Sequence, residues 1–201
     1  FLGRDNKPYG PLPRDWVHYK GLYQHGERVI IDYTVGKRQI HEMPGMAKTQ
    51  GGSIITRTLS IRSGKQDLLL HVASGNGKVT IKDELAILEQ GNGKIIAVLM
   101  KGGPKGTSWN ADTGGAIRLH IPASKNLSTL KLLHWQGENG NINAFSDSLT
   151  KNLTSPEDLS QFIKGGPTRW PHPVMTEGKQ SNKNDAYVVD EITMPAVNPW
   201  N

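Results

Sequence analysis

Apolar and polar residues alternate along much of the first 140 residues of the chain. From Val29 to Val35, every second residue is apolar, which is typical of a β-strand buried mainly on one face. The same pattern predicts strands at Ser53–Arg62, Gln66–Ala73 and Ala116–Ile121. Further predicted strands are Lys20–Gln24, Lys37–Met43, Lys78–Ile81, Leu85–Gln90, Lys94–Met100 and Leu127–Gln136.

Short turn signals separate these strands, such as Gly75-Asn76-Gly77 and Gly91-Asn92-Gly93. Glycine and asparagine tolerate the positive φ angles of tight hairpins, so most neighbouring strands should be antiparallel. Turn signals that recur every 8 to 12 residues or so are typical of sandwiches and barrels. The sequence therefore predicts an all-β fold, a mostly antiparallel β-sandwich.

One short helix is predicted near residues 155–164. Ser155 can cap the first free amides, Pro156 suits the first helical position, and Gly165 can end the helix. The residues that follow are poor in aliphatic side chains until a final strand predicted at Ala186–Thr193. This pattern predicts an extended C-terminal segment.

Three parts are expected along the chain. Residues 1–18 form an extended N-terminal lead-in, and residues 19–148 form the β-sandwich. Residues 149–201 hold the helix, a connector and the terminal strand, which leads to a following domain in a parent protein. The chain opens with Phe1 rather than Met, which we interpret as a piece of something longer.

Composition excludes several classes of chemistry. The 201 residues include no cysteine, so disulfides, thiolate metal sites, cysteine nucleophiles and covalent haem attachment are excluded. The net charge of +6 is spread along the chain, which indicates a basic surface rather than specific nucleic-acid binding. Because no apolar run reaches about 18 residues, no membrane span is predicted.

No catalytic signature is present in the sequence. It lacks the GxSxG, HExxH and phosphate-loop spacings. Acid–base chemistry would need ionisable side chains from different strands to converge beside a tryptophan, with Asp32, His41, Glu42 and His120 as candidates. A carbohydrate-active enzyme with carboxylate or histidine chemistry therefore stays open as an alternative.

An oxygen-rich stretch near the end of the predicted sandwich is a candidate calcium site. Its candidate ligands are Glu138, Asn139, Asn141, Asn143 and Asp147. Calcium takes six to eight oxygen ligands, often from loops. The spacing fits no EF-hand, so a solvated turn is the competing interpretation.

The five tryptophans raise the question of sugar binding. Trp109 is followed by Asn110 and Asp112 in a glycine-rich stretch, which is the residue combination of a glycan platform. Core packing is the alternative interpretation of the same ring.

Two stretches resemble an uncharacterised domain family of large secreted planctomycete and verrucomicrobial proteins. The first begins with Gly-Pro-Leu-Pro-Arg-Asp-Trp at 10–16 and continues to Gly36. The second includes Gly-Gly-Pro-Thr-Arg-Trp-Pro at 165–171 and Asn-Pro-Trp at 198–200. Proteins of this kind usually carry c-type cytochrome domains, and a sugar-dehydrogenase-like β-propeller follows the domain.

The resemblance implies a non-catalytic accessory module of an extracytoplasmic protein, periplasmic or secreted. Haem would belong to other, cysteine-bearing segments, so calcium is the one candidate cofactor of this chain. The implied partners are other domains or chains of the parent protein, and polysaccharide is a further candidate. Contacts to the parent are expected from Arg169, Trp170 and Trp200, because arginine and tryptophan are frequent interface hot spots. A subunit or fragment of a larger assembly is the alternative.

Overall fold

The computed structural model describes residues 6, 13, 15–49, 52–112, 114–167, 174–185 and 187–194. Two α-helices occur there, α1 (Ile142–Asp147) and α2 (Lys151–Thr154), with 3₁₀ turns at Asn139–Asn141 and Leu159–Gln161. The strands of the described residues are β1 (Val17–His25), β2 (Arg28–Val35), β3 (Arg38–Thr49), β4 (Gly52–Ile61), β5 (Leu68–Ser74), β6 (Val79–Lys82), β7 (Leu85–Gly91), β8 (Lys94–Gly102), β9 (Ser108–Ala111), β10 (Ala116–Ile121) and β11 (Ser128–Glu138).

These strands form two open sheets, and the predicted all-β class is confirmed. The larger sheet has eight strands in the order β1-β2-β3-β4-β11-β8-β7-β6, and the smaller has three in the order β5-β10-β9. Every pair of neighbouring strands is antiparallel. The chain order explains this arrangement, because most neighbours follow one another through short turns.

The smaller sheet covers part of one face of the larger sheet, which we call the inner face. Ile117, Leu119 and Trp109 of the smaller sheet pack against Leu59 and Leu132 of the larger one. These side chains are 9% exposed or less. The alternation seen in the sequence therefore places one apolar set between the two sheets.

The opposite, outer face of the larger sheet is covered by the helical segments. The Trp135 ring of β11 stacks on Phe145 of α1 with 5.4 Å between the ring centroids. Further along the same face, Leu159 and Phe162 pack against Met43 of β3. Because both faces are covered over part of their area, β11 carries consecutive buried apolar residues rather than strict alternation.

The helix predicted at 155–164 is reduced to one 3₁₀ turn at Leu159–Gln161. The cap is Asp158, not Ser155, and its carboxylate accepts a hydrogen bond from the Ser160 amide at 2.9 Å. Asp158 has extended backbone angles, φ −76° and ψ 109°, so the helix cannot begin at Pro156. The apolar residues of the predicted helix face the core, as the pattern indicated.

Residues Pro167–Asn201 form a second compact unit, separate from the unit that contains the sheets. Its described residues contain one isolated antiparallel bridge, in which Lys179 and Glu191 exchange two backbone hydrogen bonds of 2.9 Å. The segment 187–194, where the terminal strand is predicted, pairs within the described chain through this bridge alone. No helix among the described residues has the length and apolar character needed to span a bilayer.

Candidate functional site

The predicted glycan platform lies in strand β9 of the smaller sheet. Trp109 is 9% exposed, and its ring belongs to the core between the sheets. Its indole N–H donates to the backbone carbonyl of Glu84 at 2.9 Å. The ring faces are therefore used in packing, while Asn110 beside it is exposed.

Asp112 organises a turn in the smaller sheet. Its Oδ1 accepts hydrogen bonds from the amides of Gly114 and Ala116 at 3.0 and 2.9 Å, and its Oδ2 pairs with Arg118 at 2.8 Å. The Ala116 amide, followed by the Arg118 charge, holds the pKa of Asp112 below its usual value. The carboxylate is engaged in holding the β9–β10 turn.

The predicted calcium stretch is folded into the end of β11, a 3₁₀ turn and α1. All of its candidate ligands are exposed: Glu138, Asn139, Asn141, Asn143 and Asp147. No group of three or more His, Cys, Asp or Glu side chains in the described residues is arranged to hold a metal. Calcium binding stays a prediction.

The predicted partner contacts Arg169, Trp170 and Trp200 lie outside the described residues.

A row of polar side chains crosses the inner face diagonally, from β2 through β3 and β4 to β11. The register makes Tyr33, Glu42, Arg57 and His134 successive diagonal neighbours. The Tyr33 hydroxyl donates to Glu42 at 2.8 Å, and Arg57 Nε donates to the other oxygen of Glu42 at 2.6 Å. Burial, followed by the Glu42 charge, raises the pKa of Tyr33. We call these four residues the polar diagonal.

The polar diagonal marks where the smaller sheet stops covering the inner face. On one side, Leu59 and Leu132 are at most 1% exposed. On the other side, Met46 and Ile55 are 64% and 56% exposed. Within the diagonal, His134 has a buried Nε2 without a hydrogen-bond partner in the described structure. Burial and the Arg57 charge lower the pKa of His134 to about 4, so its ring is neutral near pH 7.

The four residues proposed for acid–base chemistry do not converge as a group. Asp32 and His41 are buried on the outer face, with 3.6 Å between Oδ1 and Nε2, and Gln39 donates to both oxygens of Asp32. Glu42 lies on β3, next to His41, but its side chain is on the inner face. His120 belongs to the smaller sheet, where its Nε2 is 2.8 Å from Asp67 Oδ2. One pair of the four is therefore in contact.

A buried lysine joins the outer face to the segment before the 3₁₀ turn. Lys131 is 2% exposed, and its Nζ lies 2.7 Å from Glu157 Oε1 and 3.3 Å from the Ser155 carbonyl. The Thr58 hydroxyl donates to the second carboxylate oxygen of Glu157. Burial raises the pKa of Glu157, but the hydrogen bonds from Lys131 and Thr58 outweigh it and lower the pKa. These contacts hold residues 155–157 on the sheet.

The second unit exposes large apolar side chains along residues 187–194. Tyr187 is 95% exposed, Val189 88%, Ile192 82% and Met194 79%. The side chain of Thr193 donates to the Glu177 carbonyl at 2.7 Å, and Asp190 accepts from the Ser181 amide at 3.0 Å. Polar contacts therefore hold this segment while its apolar side chains face away from the unit.

Comparisons with known proteins give limited similarity. The model of a family described as a domain of unknown function, DUF6797, matches residues 1–42, which include β1, β2 and the first residues of β3. The search of curated proteins found no match. A solved protein assigned as a kojibiose phosphorylase, from the human microbiome, is similar with 13% identity and a TM-score of 0.35 over 63% of this chain. This chain spans 20% of that protein's length.

Strand β9 and two side-chain arrangements of the described structure were missed by the sequence analysis. Lys131 interrupts the apolar run Leu130 to Leu133, and a charge in such a run is a signal for a buried ion pair. Its partner Glu157 has no comparable signal, because it lies 26 residues away in a segment predicted as helix. The polar diagonal likewise depends on strand register, which joins residues up to 101 positions apart, from Tyr33 to His134.

Proposed function

We propose that this chain is a non-catalytic accessory β module that docks against a neighbouring domain of a larger extracytoplasmic protein. The supporting observation is the exposure of Tyr187, Val189, Ile192 and Met194 in one short segment. Exposed clusters of large apolar side chains are typical of interaction sites. The extracytoplasmic location and the cytochrome context rest on the family resemblance.

Residues 187–194 also have the composition of a β-strand. Neither of the two sheets in the described structure includes them. Residues 187–194 are rich in β-branched and aromatic side chains, which favour the extended backbone. One bridge, between Lys179 and Glu191, is the backbone pairing that the described residues give it. A neighbouring domain would cover the apolar side chains and supply backbone partners at the same time.

The polar side chains singled out above are occupied in structural roles. Asp112 holds a turn, Glu157 holds the connector, and the Trp109 ring fills the core. These roles support an accessory module over an enzyme. Polysaccharide binding stays a prediction. The buried Trp109 ring offers it no exposed aromatic platform in the described structure.

A binding measurement with the rest of the parent polypeptide tests the proposal. The full chain is immobilised, and the domain that follows it in the parent protein is added as a separately expressed partner. We expect the partner to bind the unmodified chain, and Val189→Asp and Ile192→Asp to abolish binding, because each places a charge on the apolar segment. Leu69→Asp is the matched control, since Leu69 is 59% exposed on β5.

Binding that survives both aspartate substitutions would contradict the role of this segment. Failure of the partner to bind the unmodified chain would contradict the proposed function itself. Loss of binding in the Leu69→Asp control would indicate that any added surface charge interferes with binding. The losses in Val189→Asp and Ile192→Asp would then no longer support docking through residues 187–194.

A further inference from the structure

The polar diagonal continues to an exposed tyrosine on the first strand of the larger sheet. Tyr19 of β1 lies directly opposite Tyr33 in the strand register, so both side chains are on the inner face. Tyr19 is 58% exposed, whereas Tyr33 is partly buried. The extended row therefore crosses five neighbouring strands, β1, β2, β3, β4 and β11, which span about 20 Å.

Arg57, in the middle of this row, is held by one side of its guanidinium group. Its Nε donates to Glu42 Oε1 at 2.6 Å, and the Tyr33 hydroxyl donates to Oε2 of the same carboxylate. In the described structure no hydrogen bond uses Nη1 or Nη2 of Arg57, whose side chain is 25% exposed. A fixed guanidinium group with free terminal N–H groups can donate to two neighbouring oxygen atoms of a ligand.

The other end of the row also joins an unmet polar group to an exposed apolar side chain. The buried Nε2 of His134 has no hydrogen-bond partner in the described structure. Ile55 lies opposite His134 in the register, and it is 56% exposed. Exposed side chains with apolar surface, Tyr19 and Ile55, therefore stand at the two ends of the row, and hydrogen-bonding groups lie between them.

The charges within the row cancel. Glu42 and Arg57 form an ion pair, and the His134 ring is neutral near pH 7. An anion bound to Arg57 would be repelled by the adjacent Glu42 carboxylate, and a cation bound to Glu42 would be repelled by Arg57. The row therefore favours an uncharged ligand that offers hydroxyl oxygens.

The open shape of the site indicates the size of the ligand. The row lies on an uncovered sheet face, where a polymer gains contacts along its length, whereas small ligands are usually held in clefts or cavities. The core of a protein interface is depleted of charged residues, but here the Glu42–Arg57 pair lies in the middle. A long hydroxyl-bearing chain fits both features.

We propose that the inner face along the polar diagonal binds an extended, neutral polysaccharide. Tyr19 and Ile55 contact the apolar faces of sugar rings at the two ends of the row. Between them, Nη1 and Nη2 of Arg57 donate hydrogen bonds to neighbouring sugar hydroxyl groups. This site is separate from Trp109 and from residues 187–194, and it does not depend on the proposed function.

Affinity electrophoresis of the full chain tests this proposal. Native gels contain increasing concentrations of one polysaccharide, and the slowed migration of the chain gives the dissociation constant. The neutral probes are a soluble β-glucan, a xylan and a mannan, and polygalacturonate is the anionic probe. We expect one or more of the neutral polysaccharides to slow the unmodified chain.

Two tyrosine substitutions form a matched pair. Tyr19→Ala should weaken binding about tenfold, because it removes the exposed ring from the row. Tyr187→Ala should change the affinity less than about twofold, since Tyr187 is 95% exposed but belongs to the C-terminal unit. Both tyrosines are exposed, so neither substitution is expected to unfold the chain, and thermal unfolding checks this.

Two substitutions of basic residues separate hydrogen bonding from charge. Arg57→Lys keeps the positive charge beside Glu42 but loses the paired terminal donors, so it should weaken binding about fivefold. Lys48 lies on the same face beyond Met46, and it is not part of the row. Lys48→Gln should therefore leave the affinity for the neutral polysaccharide unchanged.

Three results would overturn the proposal. One is that none of the neutral polysaccharides slows the unmodified chain. Another is that Tyr19→Ala and Arg57→Lys bind as tightly as the unmodified chain. The third is that polygalacturonate alone binds and that Lys48→Gln abolishes this binding, since the ligand would then be an anion held by charge.

Discussion

The sheet-bearing unit and the C-terminal unit contain the same kinds of apolar residue in opposite environments. Ile117 and Leu119 of β10 are fully buried, because β10 lies between two strands and packs on the larger sheet. Val189 and Ile192 are more than four-fifths exposed. Strand-forming sequence therefore does not determine burial, which depends on whether the chain supplies a sheet to join.

Replacing Trp109, which is buried between the two sheets, should have the largest effect on the free energy of unfolding. Trp109→Ala should lower the free energy of unfolding by about 3 to 5 kcal/mol, because it empties the core between the sheets. It also leaves the Glu84 carbonyl without its indole donor. Urea denaturation followed by circular dichroism measures the change.

Trp16→Ala is the matched control for that substitution. Trp16 is 61% exposed, so its loss should change the free energy of unfolding by about 0.5 kcal/mol or less. Equal effects of the two substitutions would show that Trp109 does not fill a core, and its role as a ligand platform would regain support.

The two partners of the Lys131–Glu157 ion pair should differ in how much their replacement lowers the free energy of unfolding. Glu157→Gln should lower the free energy of unfolding by about 1 to 3 kcal/mol, since it leaves the Lys131 charge buried. Lys131→Met should cost less than about 1 kcal/mol, because the Glu157 side chain is 38% exposed and water can solvate it. Urea denaturation of both variants checks the order, and a larger loss in Lys131→Met would contradict it.

The fold was predictable from local patterns, but the sites were not. Alternation and turn chemistry identified the strands of the two sheets other than β9, since both depend on neighbouring residues. Capping residues at 155 and 156 predicted a helix, yet the contact between Glu157 and Lys131 favours an extended backbone there. Trp109 had two interpretations, core packing and glycan binding, and the structure shows its ring buried between the two sheets. Each unpredicted feature depends on contacts between residues distant in sequence.

A further effect, present only at acid pH, concerns the histidine of the polar diagonal. The pKa of His134 falls from 6.5 to about 4 through burial and the Arg57 charge. The unfolded chain therefore binds a proton before the folded chain as pH falls, and the free energy of unfolding declines from pH 6.5 to pH 4. His134→Gln should make this decline shallower in urea denaturation at pH 7, 6, 5 and 4.5.

His71→Gln is the control for the pH series, because His71 is exposed on the smaller sheet. It should keep the pH profile of the unmodified chain. Identical profiles for all three proteins would mean that the His134 ring is accessible to protons in the folded state.

The smallest expected effect is that of Ile192→Ala, and its contrast with Ile117→Ala is the most direct test of the comparison between the two units. Ile117→Ala should cost about 2 to 5 kcal/mol of unfolding free energy, whereas Ile192→Ala should change it by about 0.5 kcal/mol or less. The reason is that Ile192 is 82% exposed and has little packing to lose. Urea denaturation of the isolated chain measures both. A cost above about 1 kcal/mol for Ile192→Ala would mean that the segment is buried within this chain, and a docking partner would then have little apolar surface left to cover.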